Sequence, residues 1–295
     1  MKQSTNPTDI NKDIRRGSCS VSTAIYADIV FCGDRSGSMQ TMEDSVFKGL
    51  IEFIKDQKSI LSEQGIEGCL TVCAFDHEMK EIHFQNIQKE DITECKTDEY
   101  KKDFEPRGTT RLVDTAIEQL FNQHKRIEKY KKNLPKEVQK LDPEVYSIFA
   151  LLTDGVDNES DSSVKDLNLA VRKANKEGTT CIFMGANQDA IQNGELYGFN
   201  PGLSLNIGNT PTSAINAMKS CSQVANRSLS GNVPSFTKAE RCSSAPIDNS
   251  THSHNYKVFR PPTICTGNKF NPPPPPCKAE RSDTFCQSFG VNYII

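Results

Sequence analysis

Ile25-Tyr-Ala-Asp-Ile-Val-Phe-Cys-Gly-Asp-Arg-Ser-Gly-Ser-Met39 is the stretch on which the reading of this chain turns. Residues 25–32 are rich in apolar and β-branched side chains and short enough for a buried strand, which ends at Gly33. Asp34, Ser36 and Ser38 follow at alternate positions, and then Val46, Phe47, Leu50, Ile51, Phe53, Ile54 and Leu61 recur at helical spacing. A strand, an oxygen-rich loop and an amphipathic helix make the opening unit of an α/β sheet, in which ligands bind at the carboxyl ends of strands. One carboxylate and two hydroxyls at that position suit a hard divalent cation, because every donor is an oxygen.

The pattern repeats along the chain. Gly65 and Gly68 end the first helix, Cys69–Phe75 reads as a second strand, and Lys80–Phe84 as a third, paired with it in an edge hairpin. Residues 88–106 are polar and predict a surface excursion with at most a weak helix. Arg107-Gly-Thr-Thr-Arg111 then feeds an amphipathic helix through Leu112, Ala116, Ile117 and Leu120, whose lysine-rich continuation to Lys140 reads first as a solvated helix face or loop and second as a nucleic-acid or partner patch. Val145–Leu152 is continuously apolar, as in a central strand covered on both faces, and it runs into Thr153-Asp154-Gly155. Further strands at Thr179–Met184 and Leu203–Ile207 alternate with helices at 164–178, 190–197 and 212–224. The expected fold class is therefore α/β, a doubly wound and mostly parallel sheet with helices on both faces.

Three segments are expected: a flexible lead-in at 1–21, one folded domain at 22–228, and a mostly disordered tail at 229–295. The tail holds nine of the 15 prolines, including Pro272–Pro276, which favour a polyproline II spacer or docking rod. A net charge of −3 argues against a nucleic-acid binder, and nothing in the sequence signals a membrane partner. Met1–Arg16 lacks the apolar core of a secretory signal, so a cytoplasmic location is the expectation. The 11 cysteines form no compact zinc pattern, and Cys32, Cys69, Cys73 and Cys181 read as small core residues.

Asp34, Ser36 and Ser38, a threonine at 109 or 110, and Asp154 all fall where neighbouring strand ends meet. This array resembles the metal-ion-dependent adhesion site (MIDAS) of the von Willebrand factor type A (VWA) family, and the Gly185-Ala-Asn-Gln-Asp189 turn resembles a sequence found in its intracellular and viral-like members. The motif is Asp-x-Ser-x-Ser with a distant Thr and Asp, and the resemblance covers most of residues 22–210. Matching Leu112 to the leucine of the family's Gly-Gly-Thr-x-Leu selects Thr110 over Thr109. The resemblance implies that Ser36, Ser38 and Thr110 bind the cation directly, while Asp34 and Asp154 bind it directly or through water. Magnesium is the expected ion, with manganese or calcium as alternatives. It also implies a protein partner that supplies an Asp or Glu to the metal, with Arg35, Arg111 and Asn187 as candidate partner contacts. A solvated Arg111, and Asn187 as a helix-start residue, are the plainer readings of two of these.

The leading functional reading is a cation-dependent binding module, not an enzyme. Gly33-Asp-Arg-Ser-Gly37 does not fit a Gly-x-Ser-x-Gly nucleophile elbow, and Ser36 stands where phosphatases that use an aspartyl nucleophile carry a second aspartate. A metal-dependent hydrolase or phosphatase remains an alternative. So does a scaffold subunit of an intracellular complex such as a ubiquitin-pathway assembly, although Cys242, Cys265, Cys277 and Cys286 lack the paired spacing of a RING module.

Overall fold

The computed structural model describes residues 26–186 and 188–246. Strands β1 (Tyr26–Asp34), β2 (Glu67–Phe75), β3 (Met79–Phe84), β4 (Val145–Thr153), β5 (Thr180–Ala186) and β6 (Ser204–Ile207) form one sheet in the order β3-β2-β1-β4-β5-β6. Every neighbouring pair is parallel except β2 with β3, the edge hairpin. Helices α1 (Glu43–Gln64), α2 (Glu94–Lys101), α3 (Leu112–Asn133), α4 (Lys136–Gln139), α5 (Val164–Lys176), α6 (Ala190–Leu196), α7 (Pro211–Leu229) and α8 (Lys238–Ser244) complete the described chain. The architecture is the doubly wound α/β sheet that the alternation of strands and helices predicts.

The core follows from strand alternation, since successive side chains point to opposite faces. Ala27, Ile29 and Phe31 of β1 pack with α1 and α7, whereas Val30 and Cys32 pack with Leu112, Val113 and Ala116 of α3 and Leu167 and Val171 of α5. A strand with apolar residues on both faces needs both helical layers. Cys32, Cys69, Cys73 and Cys181 are free thiols inside this core, as expected, and burial pushes the Cys69 thiol up to about 12.

One mid-strand residue breaks the apolar run. Asp28 is fully buried and accepts two hydrogen bonds from Arg126 of α3, each 2.9 Å, with Cys69 Sγ at 3.1 Å. Gln123 Nε2 donates to the Asp28 and Ile148 carbonyls at 2.8 and 2.9 Å, and Tyr130 stacks on Tyr26 at 4.0 Å. These contacts fix α3 along β1 so that its amino end lies at the carboxyl edge of the sheet.

Two expectations are corrected. Residues 88–106 hold more than a weak surface helix: they form α2, and the buried Phe104 ties the segment to the core. The folded domain also runs past residue 228. Phe236 is buried, Arg227 makes two 2.9 Å bonds to Glu240, and Gly208 N donates to the Ser244 carbonyl at 2.8 Å. The seven-residue α8, started by a Thr237–Glu240 capping box, is too short and polar to show helical periodicity. The expectations for 1–21, the polyproline run and Asn187 lie outside the described residues. A chain truncated after Ser230 is expected to be about 3 kcal/mol less stable than one truncated after Pro246, from lost Phe236 burial and the Arg227–Glu240 pair. Urea denaturation of the two measures the difference.

Candidate metal centre

β1 connects to β2 on one side, while β4 lies on its other side, so the carboxyl ends of β1 and β4 flank the point where the winding direction reverses. Ligand crevices open at such points. Asp34 is the last residue of β1 and Asp154 the first after β4, with side chains that are buried. Asp34 Oδ1 accepts the Ser36 N–H at 2.7 Å, and its Oδ2 accepts the Thr153 hydroxyl at 2.6 Å. Ser38 Oγ donates to Asp154 Oδ1 at 2.6 Å and lies 3.0 Å from Ser36 Oγ. Thr110 is buried, whereas Thr109 is exposed. A Cβ built on Gly155 would lie 3.8 Å from Thr110 Oγ1 and 3.9 Å from Ser38 Oγ, so both hydroxyls face the Gly155 backbone. Asp34, Ser36, Ser38, Thr110 and Asp154 are thus brought to one place.

Backbone and side-chain bonds lock the three loops together. Arg107 N donates to the Arg35 carbonyl at 2.8 Å, and Arg111 N to the Asp76 carbonyl at 2.9 Å. Gly108 has φ +66, a left-handed conformation that favours glycine, and a Cβ there would stand 2.2 Å from His77 Nδ1 and push that half-exposed ring aside. The loop after β4 is sewn to the start of α3. Thr110 N donates to Asn158 Oδ1 at 2.8 Å, Asn158 N returns a bond to the Thr110 carbonyl at 3.0 Å, and Val113 N donates to Asp157 at 3.1 Å. Asp114 accepts the N–H groups of Asp161 and Ser162, each at 3.0 Å. Burial alone would raise the Asp114 carboxyl, but those bonds and the Arg111 guanidinium hold it below its ordinary value.

The electrostatics of the centre are those of unneutralised acid. Burial pushes the Asp34 carboxyl up to about 6, against the hydrogen bonds from Thr153 and Ser36, and burial likewise raises Asp154. Asp154 Oδ2 is buried and has no hydrogen-bond partner. A buried carboxylate oxygen without a partner, next to three hydroxyl oxygens, fits a hard cation in chemistry and in charge. Asp76, His77 and Glu78 also bring potential ligand atoms within 4.8 Å of one another. There, however, Arg107 bonds both Asp76 (2.7 Å) and Glu78 (2.6 Å), and Arg35 Nε stands 3.2 Å from Asp76, so guanidinium groups already balance that cluster.

Arg35, a candidate partner contact in the sequence, is 5% exposed here, with Nη1 bonded to the Asp103 carbonyl at 2.8 Å. The buried Asp76 draws it inward, since an unpaired carboxylate in the interior is costly. Arg111 is partly exposed and bonded to Asp114 at 3.0 Å. Thr153, Asp76, Asp114 and Asn158 position the site without having been singled out in the sequence. Asn158 and Asp114 carried a weak signal, being polar residues beside a loop and a helix start, while Asp76 carried none.

Fold and site together define a VWA-like α/β domain. No protein-family model matches the sequence, and no curated protein does. Similar solved structures include proximal thread matrix protein 1 from the mussel byssus, 16% identical over 70% of this chain, with a TM-score of 0.41. Another is the von Willebrand factor domain of a type V pilus tip protein from Porphyromonas gingivalis, 11% identical over 70% of this chain and 97% of that one, with a TM-score of 0.46. A further structure of the mussel protein, 18% identical over 66% of this chain with a TM-score of 0.42, has a zinc-occupied MIDAS motif. This chain spans about half the length of the mussel protein, 47%.

The raised Asp34 carboxyl fixes the sign of a pH effect. Its folded-state value exceeds its unfolded one, so the stability it contributes is complete below the unfolded value and is lost as pH rises through about 6. A cation that binds the ionised carboxylates restores what is lost. A divalent cation is expected to raise Tm near neutral pH, by about 5–10 °C at a hundredfold excess over Kd, and by clearly less near pH 5. Scanning calorimetry at the two pH values checks this.

Proposed function

We propose that this chain is a divalent-cation-dependent protein-binding module that captures an acidic side chain of a protein partner at the Asp34–Asp154 centre. The observation that carries the reading is the buried, partnerless Asp154 Oδ2 beside the hydroxyls of Ser38 and Thr110. In this reading Ser36, Ser38 and Thr110 hold the ion by their hydroxyls, and Asp34 and Asp154 hold it directly or through water. Magnesium suits this all-oxygen set, with manganese or calcium as substitutes. Bound there, the cation supplies an electrophilic position for a carboxylate. The protein's part is to orient the donors: Thr153 and the Ser36 N–H fix Asp34, and Ser38 fixes Asp154.

The same geometry favours binding over catalysis. The Ser36 hydroxyl lies 3.0 Å from Ser38 Oγ, which itself donates to Asp154, an array of oxygen donors that suits holding an ion better than activating a nucleophile. Titration calorimetry with magnesium is expected to give a binding isotherm for the wild type, none for Asp34→Ala, and about tenfold weaker binding for Thr110→Ala. Equal heats for wild type and Asp34→Ala would remove the reading. Phosphatase activity abolished by Asp34→Asn would favour the metal-dependent hydrolase instead.

A further inference from the structure

α3 leaves the metal-centre edge at Leu112 and runs 22 residues, about 33 Å, to the opposite edge of the sheet. There the chain turns through α4 and presents a concentrated cationic surface. Residues 125–142 contain six lysines against three carboxylates, Glu128, Glu137 and Asp142. Asp142 is engaged by Lys131 at 3.3 Å, and Arg126 is engaged by Asp28. Lys129, Lys132, Lys136 and Lys140 are exposed and, among the described residues, have no ion pair, while Lys125 lies 4.1 Å from the centroid of the half-exposed Phe121 ring.

An apolar side chain projects from this surface. Leu141 is 80% exposed, the residue after Lys140. A single exposed leucine is ordinary, but this one is held out by a closed turn. Gln139 Nε2 donates to the Lys132 and Leu134 carbonyls at 3.0 and 2.6 Å, Leu141 N donates to the Val138 carbonyl at 3.0 Å, and Asp142 takes φ 44.

We propose that this pole of the domain is a docking surface for an anionic lipid membrane. Unpaired lysines draw negatively charged headgroups at close range, and Leu141 enters the interface between them. Charge alone would serve a nucleic acid or an acidic protein equally. The apolar tip is what favours lipid, because a polyanion in water offers it no apolar phase. Arginine forks free to read phosphates or bases are also missing from this stretch. A chain with net charge −3 can still carry such a pole, since a membrane senses charge only within about a Debye length. The surface is separate from the metal centre and does not depend on the reading of that site.

The test is co-sedimentation of the full chain, in chelator, with vesicles of phosphatidylcholine alone or with about 30 mol% phosphatidylserine. Binding is expected only with phosphatidylserine and is expected to fall with salt. Lys132→Gln, Lys136→Gln and Lys140→Gln combined should weaken it about a hundredfold. Leu141→Ser should weaken vesicle binding several-fold while leaving binding to soluble polyglutamate unchanged. Circular dichroism confirms that these surface variants remain folded. No preference for phosphatidylserine, or wild-type binding by the triple variant, would overturn the proposal. So would an unchanged Leu141→Ser variant, which would assign the surface to a soluble polyanion.

Discussion

Two buried carboxylates at adjacent strand ends are the constraint around which this domain is arranged. Asp34 and Asp154 sit where the winding reverses, each largely out of water, and burial raises both carboxyls above their ordinary values. The hydrogen bonds from Ser36, Thr153 and Ser38 satisfy three of the four carboxylate oxygens and leave Asp154 Oδ2 without a partner. A fold that only sought stability would place threonine or alanine here, because an unsatisfied buried oxygen costs about 1–3 kcal/mol. The cost is tolerable only in a framework that cannot relax to relieve it.

That framework is built on a third buried carboxylate. Asp76 lies at the end of β2 with no exposed surface, and Arg35 and Arg107 reach it from the loops after β1 and before α3. Its carbonyl also accepts the Arg111 N–H, so one residue ties β2, the Asp34 loop and the Thr110 loop together. The cost of leaving Asp76 unpaired, several kcal/mol by analogy with broken buried pairs, is the force that turns Arg35 inward. Charge in the neighbouring cluster therefore serves geometry. In the centre itself, charge is left over for a ligand.

The sequence made the sheet, and the meeting of Asp34, Ser36, Ser38, Thr110 and Asp154 at one edge of it, legible because both rest on local patterns. Apolar runs ended by Gly33, by Thr153-Asp154-Gly155 and by Gly185 mark strands and their carboxyl ends, and alternate spacing of Asp34, Ser36 and Ser38 puts them on one loop. What stayed hidden depends on distant partners. Arg35 looks like a surface residue until Asp76, 41 positions on, is seen beneath it. Asp28 interrupts an apolar strand and gains its sense only from Arg126 on α3. α8 was hidden for a different reason: seven residues hold too little periodicity, and its anchors act through tertiary contacts, Glu240 on Arg227 of α7, and Phe236 N and Arg241 on backbone carbonyls at and before the start of β6.

The placement of α3 joins these parts. Its first turn receives the loop after β4 through Val113 and Asp114, and its middle is fixed to β1 by Gln123 and Arg126. A helix fixed at its middle and its start cannot slide along the sheet without breaking the Asp28 pair, which would leave a charge unpaired in the core. Thr110 and Asn158 are thereby held in register with the loop that carries Asp154. The same rigidity holds the far end of the helix, where Tyr130 stacks on Tyr26, at a set distance from the centre. The separation of the two edges along α3 is therefore set by the helix itself, about 33 Å over its 22 residues.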